Sequence, residues 1–167
     1  MRGRWPFRLL LLAAGLIWLA MTYRTFPELH RLSGGLQPFD LRLTGYGPQE
    51  ASTYLEALGA EGRQYYLTAQ QRLDLFFPAL LALTLVGALV RLVSGPVLWL
   101  LVAAALAGAG FDYLENAAVR GMLIGGTVGD LAIAASRWTV LKGLGFGLAI
   151  AGLALLLLRA GWRRIRG

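Results

Sequence analysis

Four long apolar runs, at residues 7–23, 75–93, 96–111 and 138–158, constrain this chain more than any other feature. A helix needs about 20 mainly apolar residues to cross the hydrocarbon of a bilayer. Inside that layer the backbone polar groups must be satisfied within the helix itself. The first, second and fourth runs meet the length, and the third reaches it when Asp112 and Tyr113 sit at the interface, giving a span over 96–113. The chain is 57% hydrophobic and only 15% charged, against about a quarter charged in an ordinary soluble domain. The expected fold is an all-α membrane protein: a four-helix transmembrane bundle with a small helical exoplasmic cap, in a single membrane domain over 1–167.

Charge is sorted across this pattern. All 9 acidic residues fall on one side of the four runs. The other side holds Arg2, Arg4, Arg8, Arg91, Arg159, Arg163, Arg164 and Arg166 with no acidic neighbour. The positive-inside rule then puts both termini in the cytoplasm, and Trp5 and Trp162 sit where amphipathic rings favour the interface. The expected location is a bacterial inner (plasma) membrane. The net charge of +7 reads as anchoring charge attracted to anionic headgroups, not as a nucleic-acid footprint. The first run follows a basic start as a secretory signal would, yet no small-x-small cleavage site follows it: Trp18 precedes Ala20, and Met21, Thr22 and Tyr23 come next. It reads as a retained signal anchor. Cysteine is absent and His30 is the single histidine, which excludes disulfides, thiol redox chemistry and histidine-rich zinc sites.

Between the first two runs lies an outer segment, 24–73, with turn signals at Ser33-Gly34-Gly35, Gln37-Pro38 and Gly45-Tyr46-Gly47-Pro48. Pro48 suits the first position of a helix and Glu50 its first turn. Ala51, Tyr54, Leu55 and Leu58 follow at helical spacing, and Gly59 is a stop. A second helix starts near Gly62 and runs toward span two, bent near Pro78. Ser94-Gly95-Pro96 makes a tight turn between spans two and three. The glycines at 125, 126 and 129 mark 116–129, within the outer connection 114–137, as a flexible loop or a frayed helix end, with a last helix starting near Asp130.

The strongest polar feature is Phe111-Asp112-Tyr113-Leu114-Glu115-Asn116. Positions 112, 115 and 116 share a helix face. Asp74 begins span two, the neighbouring helix, and Arg137 and Lys142 begin span four. Lys142 is the chain's only lysine and lies about 6 Å deeper than Trp138 at ~1.5 Å per residue. Two readings of it stand: a snorkelling or ion-paired structural lysine, or part of a polar pocket for a ligand headgroup or a proton. Arg63 and Tyr66 sit above the same end, either as interfacial anchors or as contacts to a lipid phosphate or quinone-like head. The oxygens of Asp74, Asp112, Glu115 and Asn116 suit a hard cation, but Arg137 and Lys142 compete with one, and the reading is that no metal binds. Gly143-x-Gly145-x-Gly147 lacks the strand a dinucleotide loop requires; Gly143 and Gly147, and Ala104, Ala107 and Gly108 in span three, read as close-packing faces, the partner either span two or a foreign subunit.

Asp74-x-x-x-Pro78, Phe-Asp-Tyr-Leu-Glu-Asn at 111–116, Thr139-x-x-Lys142, Pro38-Phe39-Asp40 and Gly62-Arg63-x-x-Tyr66 together resemble a group of bacterial four-span membrane proteins. The resemblance covers most of the chain and implies no activity. Vitamin K epoxide reductases and quinone-linked disulfide-forming enzymes need cysteines, and alkaline ceramidases need several histidines. The acidic pattern of the emopamil-binding, sterol-isomerase-like group does not align here. The sequence leads first to a non-catalytic accessory or assembly subunit of a larger membrane complex, with membrane lipids and other transmembrane subunits as partners and no nucleic acid. The alternative is a lipid- or quinone-headgroup binding protein or enzyme that uses the acidic, lysine and arginine cluster, with a bound lipid or quinone but no cofactor motif. Whether the chain is an enzyme stays open.

Overall fold

The structure is a computed structural model that describes residues 4–166, apart from the side chains of Arg4, Arg164 and Arg166. Arg2 of the N-terminal basic group, and those three side chains, lie outside the described residues. Among the described residues the chain is all-helical: α1 (Arg4–Ala20), α2 (Phe26–Leu32), α3 (Pro48–Tyr65), α4 (Gln71–Asp74), α5 (Phe77–Leu89), α6 (Pro96–Leu123) and α7 (Val128–Arg166). A wide π-helical turn, Met21–Thr25, fuses α1 to α2, and another, Tyr66–Gln70, fuses α3 to α4. Four helical stretches are long and apolar enough to cross a membrane: Trp5–Leu32, Pro48–Leu89, Pro96–Leu123 and Val128–Arg163.

The helix boundaries follow from local chemistry. Pro27, Pro48, Pro78 and Pro96 stand in the first turns of α2, α3, α5 and α6, where a missing N–H has no consequence. The Glu50 carboxylate accepts the Gly47 N–H at 2.7 Å and closes the start of α3. Gly59 takes φ 60°, ψ −168° and kinks α3, as its reading as a stop anticipates.

Two expectations from sequence change. The helix of the first apolar run does not stop near Tyr23: it continues to Leu32. Residues 114–137, expected as an outer loop, are helical except for 124–127. The glycines there are a helix terminator, not a flexible tether. Gly126 N–H bonds the Gly121 carbonyl at 2.9 Å and Gly125 N–H that of Met122 at 3.2 Å, the paired bonds of a Schellman motif with Gly125 at positive φ. The α6–α7 turn is tight, and α7 begins two residues before Asp130.

α6 and α7 form the backbone of the bundle, with α5 against both and α1 against α5. Their approach is set by glycine. A Cβ on Gly145 would lie 2.9 Å from the Ala104 carbonyl and from the Gly108 nitrogen, and Gly108 itself faces Phe146. Mid-bundle, Ala82, Leu85, Ala105, Ala109, Phe146 and Ala149 form one apolar cluster. At the end carrying the α6–α7 turn, α3 and the segment before it share a second cluster with α6 and α7: Leu29, Phe39, Tyr54, Leu55, Leu58 and Tyr66 pack on Ala118, Val119, Met122, Ala132 and Ala135. The segment 33–65 is therefore continuous with the bundle core.

Candidate functional site

Beneath that second cluster, polar side chains from four segments meet. α7 supplies Lys142 and Thr139. One face of α6 supplies Asp112, Glu115 and Asn116. The short 3-10 turn Phe39–Leu41 supplies Asp40, and α4 ends on Asp74. Close α6–α7 packing brings the first two groups together. Phe39 carries the third: it is fully buried, its ring 4.7 Å from Tyr54, 5.0 Å from Tyr46 and 6.3 Å from Tyr66. Once that aromatic plug is seated, the next residue points inward.

Lys142 Nζ is the hub. It lies 2.5 Å from Glu115 Oε2, 3.2 Å from Asp112 Oδ1 and 3.7 Å from Asp40 Oδ1. All four side chains are at least nine-tenths buried. Each carboxylate also has a neutral donor: Thr139 Oγ1 gives to Glu115 at 2.7 Å, Asn116 Nδ2 to Asp112 at 3.3 Å, and the Tyr66 hydroxyl to Asp40. Buried charges persist when they are paired and hydrogen-bonded in this way. Asp74, 3% exposed, receives the Gln70 amide at 3.0 and 3.2 Å. Gln70 in turn accepts the Thr25 hydroxyl, so the two π-helical turns are bonded to each other and to Asp74. Nearby, burial foremost and then the negative charge of Glu115 and Asp40 hold the Tyr46 phenol well above its ordinary pKa.

Of the residues singled out from sequence, Asp74, Asp112, Glu115, Asn116, Lys142 and Tyr66 are brought together at this site. Arg137 is not: it is exposed on α7, away from the Lys142 face. Arg63 is not either; its Nε donates to the Leu55 carbonyl at 3.2 Å and braces the Gly59 kink. Asp40, Thr139, Gln70 and Thr25 are the additions. Asp40 was visible in the Pro38-Phe39-Asp40 motif, and Thr139 stands one helical turn before Lys142. Gln70 and Thr25 carry no sequence signal of this role.

A cavity of about 590 Å³ opens beside the hub. Its walls are apolar: Leu11, Ala14 and Trp18 of α1, Phe77 and Leu81 of α5, and Phe146 and Ile150 of α7. Its polar end is formed by Asp40, Asp74, Asp112 and Lys142. A second cavity, lined by Gln64, Gln71, Arg72, Tyr113, Asn116 and Arg120, reaches Asp74 from another side. Among the described residues no group of three or more His, Cys, Asp or Glu side chains is placed to hold a metal ion. An apolar trough closed at one end by buried charge is suited to a molecule with a greasy body and a polar head.

No family model, no curated protein and no solved structure matches the chain.

Proposed function

We propose that this protein binds a membrane amphiphile, with the body in the apolar cavity and the head at the Lys142 cluster. The observation that carries the reading is the cavity itself: most of its wall comes from helices long and apolar enough to span a bilayer, its charged residues are gathered at one end, and the hydroxyl of its polar wall residue Thr84 is donated to the Leu80 carbonyl. The charge sorting supports a multi-pass orientation in a bacterial inner membrane with both termini cytoplasmic. The segment 33–65 then forms an exoplasmic cover over the site, and the ligand enters from the outer leaflet. The reading as an accessory subunit rests on small size, the lack of a cofactor motif or repeat, and the small-residue faces. Gly108, on one of those faces, is used inside the bundle against Phe146 of α7, which withdraws part of that support.

The test is a cavity-filling variant. Gly147 lines the cavity, and a Cβ there meets nothing within 4 Å, so Gly147→Trp fills the space without forcing the helices apart. Wild-type protein extracted in a mild detergent should retain one amphiphile per chain by lipid extraction and mass spectrometry, and Gly147→Trp should lose it with unfolding unchanged. Retention of bulk lipid only, equal in both proteins, would overturn the proposal.

A further inference from the structure

We infer that the head of the bound amphiphile is a protonated amine. The inference rests on the ligand-binding reading above and comes from counting charge at the polar end of the cavity. Lys142 brings one positive charge, and its nearest carboxylate, Glu115 at 2.5 Å, is not part of the cavity lining. Glu115 neutralises Lys142 from behind. Asp40, Asp74 and Asp112 all line the cavity, and among the described residues no further cation lines it with them. The donors that reach these aspartates from elsewhere, Tyr66, Gln70 and Asn116, are neutral and add no charge. Asp74 is the most exposed to this imbalance. It is buried, its hydrogen bonds come from the Gln70 amide, and Lys142 forms ion pairs with the other three carboxylates.

A molecule seated in the trough therefore meets three carboxyl groups and a single ammonium that is already ion-paired, so a cationic head supplies the counter-charge that the carboxyls lack. A phosphate or carboxylate head is repelled there. A quinone head offers carbonyl oxygens, which are acceptors facing acceptors. An ammonium carries a positive charge and three donors on a compact centre, and three aspartates converge on the place it would occupy. The apolar walls strengthen the preference, because buried carboxylates are costly until a counter-charge joins them.

Protein in a non-ionic detergent is titrated with dodecylamine, dodecanol and dodecyl phosphate, and binding is read by native mass spectrometry and by the shift in unfolding temperature. Dodecylamine should bind at least about tenfold more tightly than dodecanol, an order of magnitude in Kd being the scale of one added charge contact, and dodecyl phosphate should bind weakest. Asp74→Asn keeps an acceptor for Gln70 and should reduce the preference for dodecylamine over dodecanol, read as the ratio of the two affinities, by about tenfold. If dodecanol or dodecyl phosphate matches dodecylamine in the wild type, the amine inference fails and the amphiphile reading stands. If none of the three binds, or Gly147→Trp binds them as the wild type does, both fail. Should Asp74→Asn not fold, the comparison of the three heads on the wild type decides the matter alone.

Discussion

Replacing Lys142 by methionine removes the ammonium at the centre of a buried group of carboxylates. With separations of 2.5, 3.2 and 3.7 Å from Glu115, Asp112 and Asp40, the gross attractions are roughly 6.6, 5.2 and 4.5 kcal/mol at an effective dielectric of about 20. Desolvation offsets several kcal/mol per ion, and the carboxylates repel one another, so the net effect is smaller. Removing one partner of a buried pair destabilises by about 3–5 kcal/mol, and Lys142→Met should fall in that range. Glu115→Gln keeps an acceptor for Thr139 and leaves Lys142 its other two partners, so it should cost about 1–2 kcal/mol. In the double variant the carboxylate most dependent on the ammonium is already gone. The combined loss should fall short of the sum of the singles by at least about 1.5 kcal/mol, inside the range for coupled neighbours. Reversible unfolding by sodium dodecyl sulfate in mixed micelles measures all three. Single effects that add to within about 0.5 kcal/mol would show that the two side chains do not act on each other, and the account of the hub would be refuted.

Other perturbations test other levels of the structure. Gly145→Ala places a methyl 2.9 Å from the α6 backbone and should cost about 1–3 kcal/mol by pushing α6 and α7 apart. Gly110→Ala, where a Cβ meets nothing within 4 Å, should stay within about 0.5 kcal/mol of wild type in the same unfolding assay. Gly59→Ala forces a side chain onto φ 60° and should destabilise by about 1–3 kcal/mol, seen as a lower unfolding midpoint. Because the chain has no cysteine, orientation can be read from single replacements: Ala57→Cys on α3 should react with an impermeant maleimide in intact cells, and Ser94→Cys in the α5–α6 turn only after permeabilisation. The opposite pattern would place both termini outside.

The four membrane-length helices were legible because hydrophobic run length is a one-dimensional property. So was the joining of Asp112, Glu115 and Asn116, which helical spacing places on one face. Arg137 was drawn into the site because it is close in sequence to Lys142. Five residues turn a helix by about 140°, which carries its side chain off the Lys142 face. Asp40 was missed for a different reason. It reaches Lys142 through the burial of Phe39 among three tyrosines, a contact between distant segments that no periodicity records. The glycines at 125 and 126 were visible but read for flexibility, when their spacing after α6 specified hydrogen bonds to Gly121 and Met122. The two π-helical turns left no trace in the pattern of apolar residues, and the Thr25–Gln70–Asp74 connection depends on both.

Lys142 occurs once in composition as well as in place: no other lysine exists in the chain. Nitrogen-15 enrichment at lysine Nζ alone therefore yields a single side-chain resonance, assigned without a mutation. Its source is the nitrogen 2.5 Å from Glu115, at the edge of the trough, so occupancy of the trough and any rearrangement of its acidic neighbours are reported by one spectroscopic line.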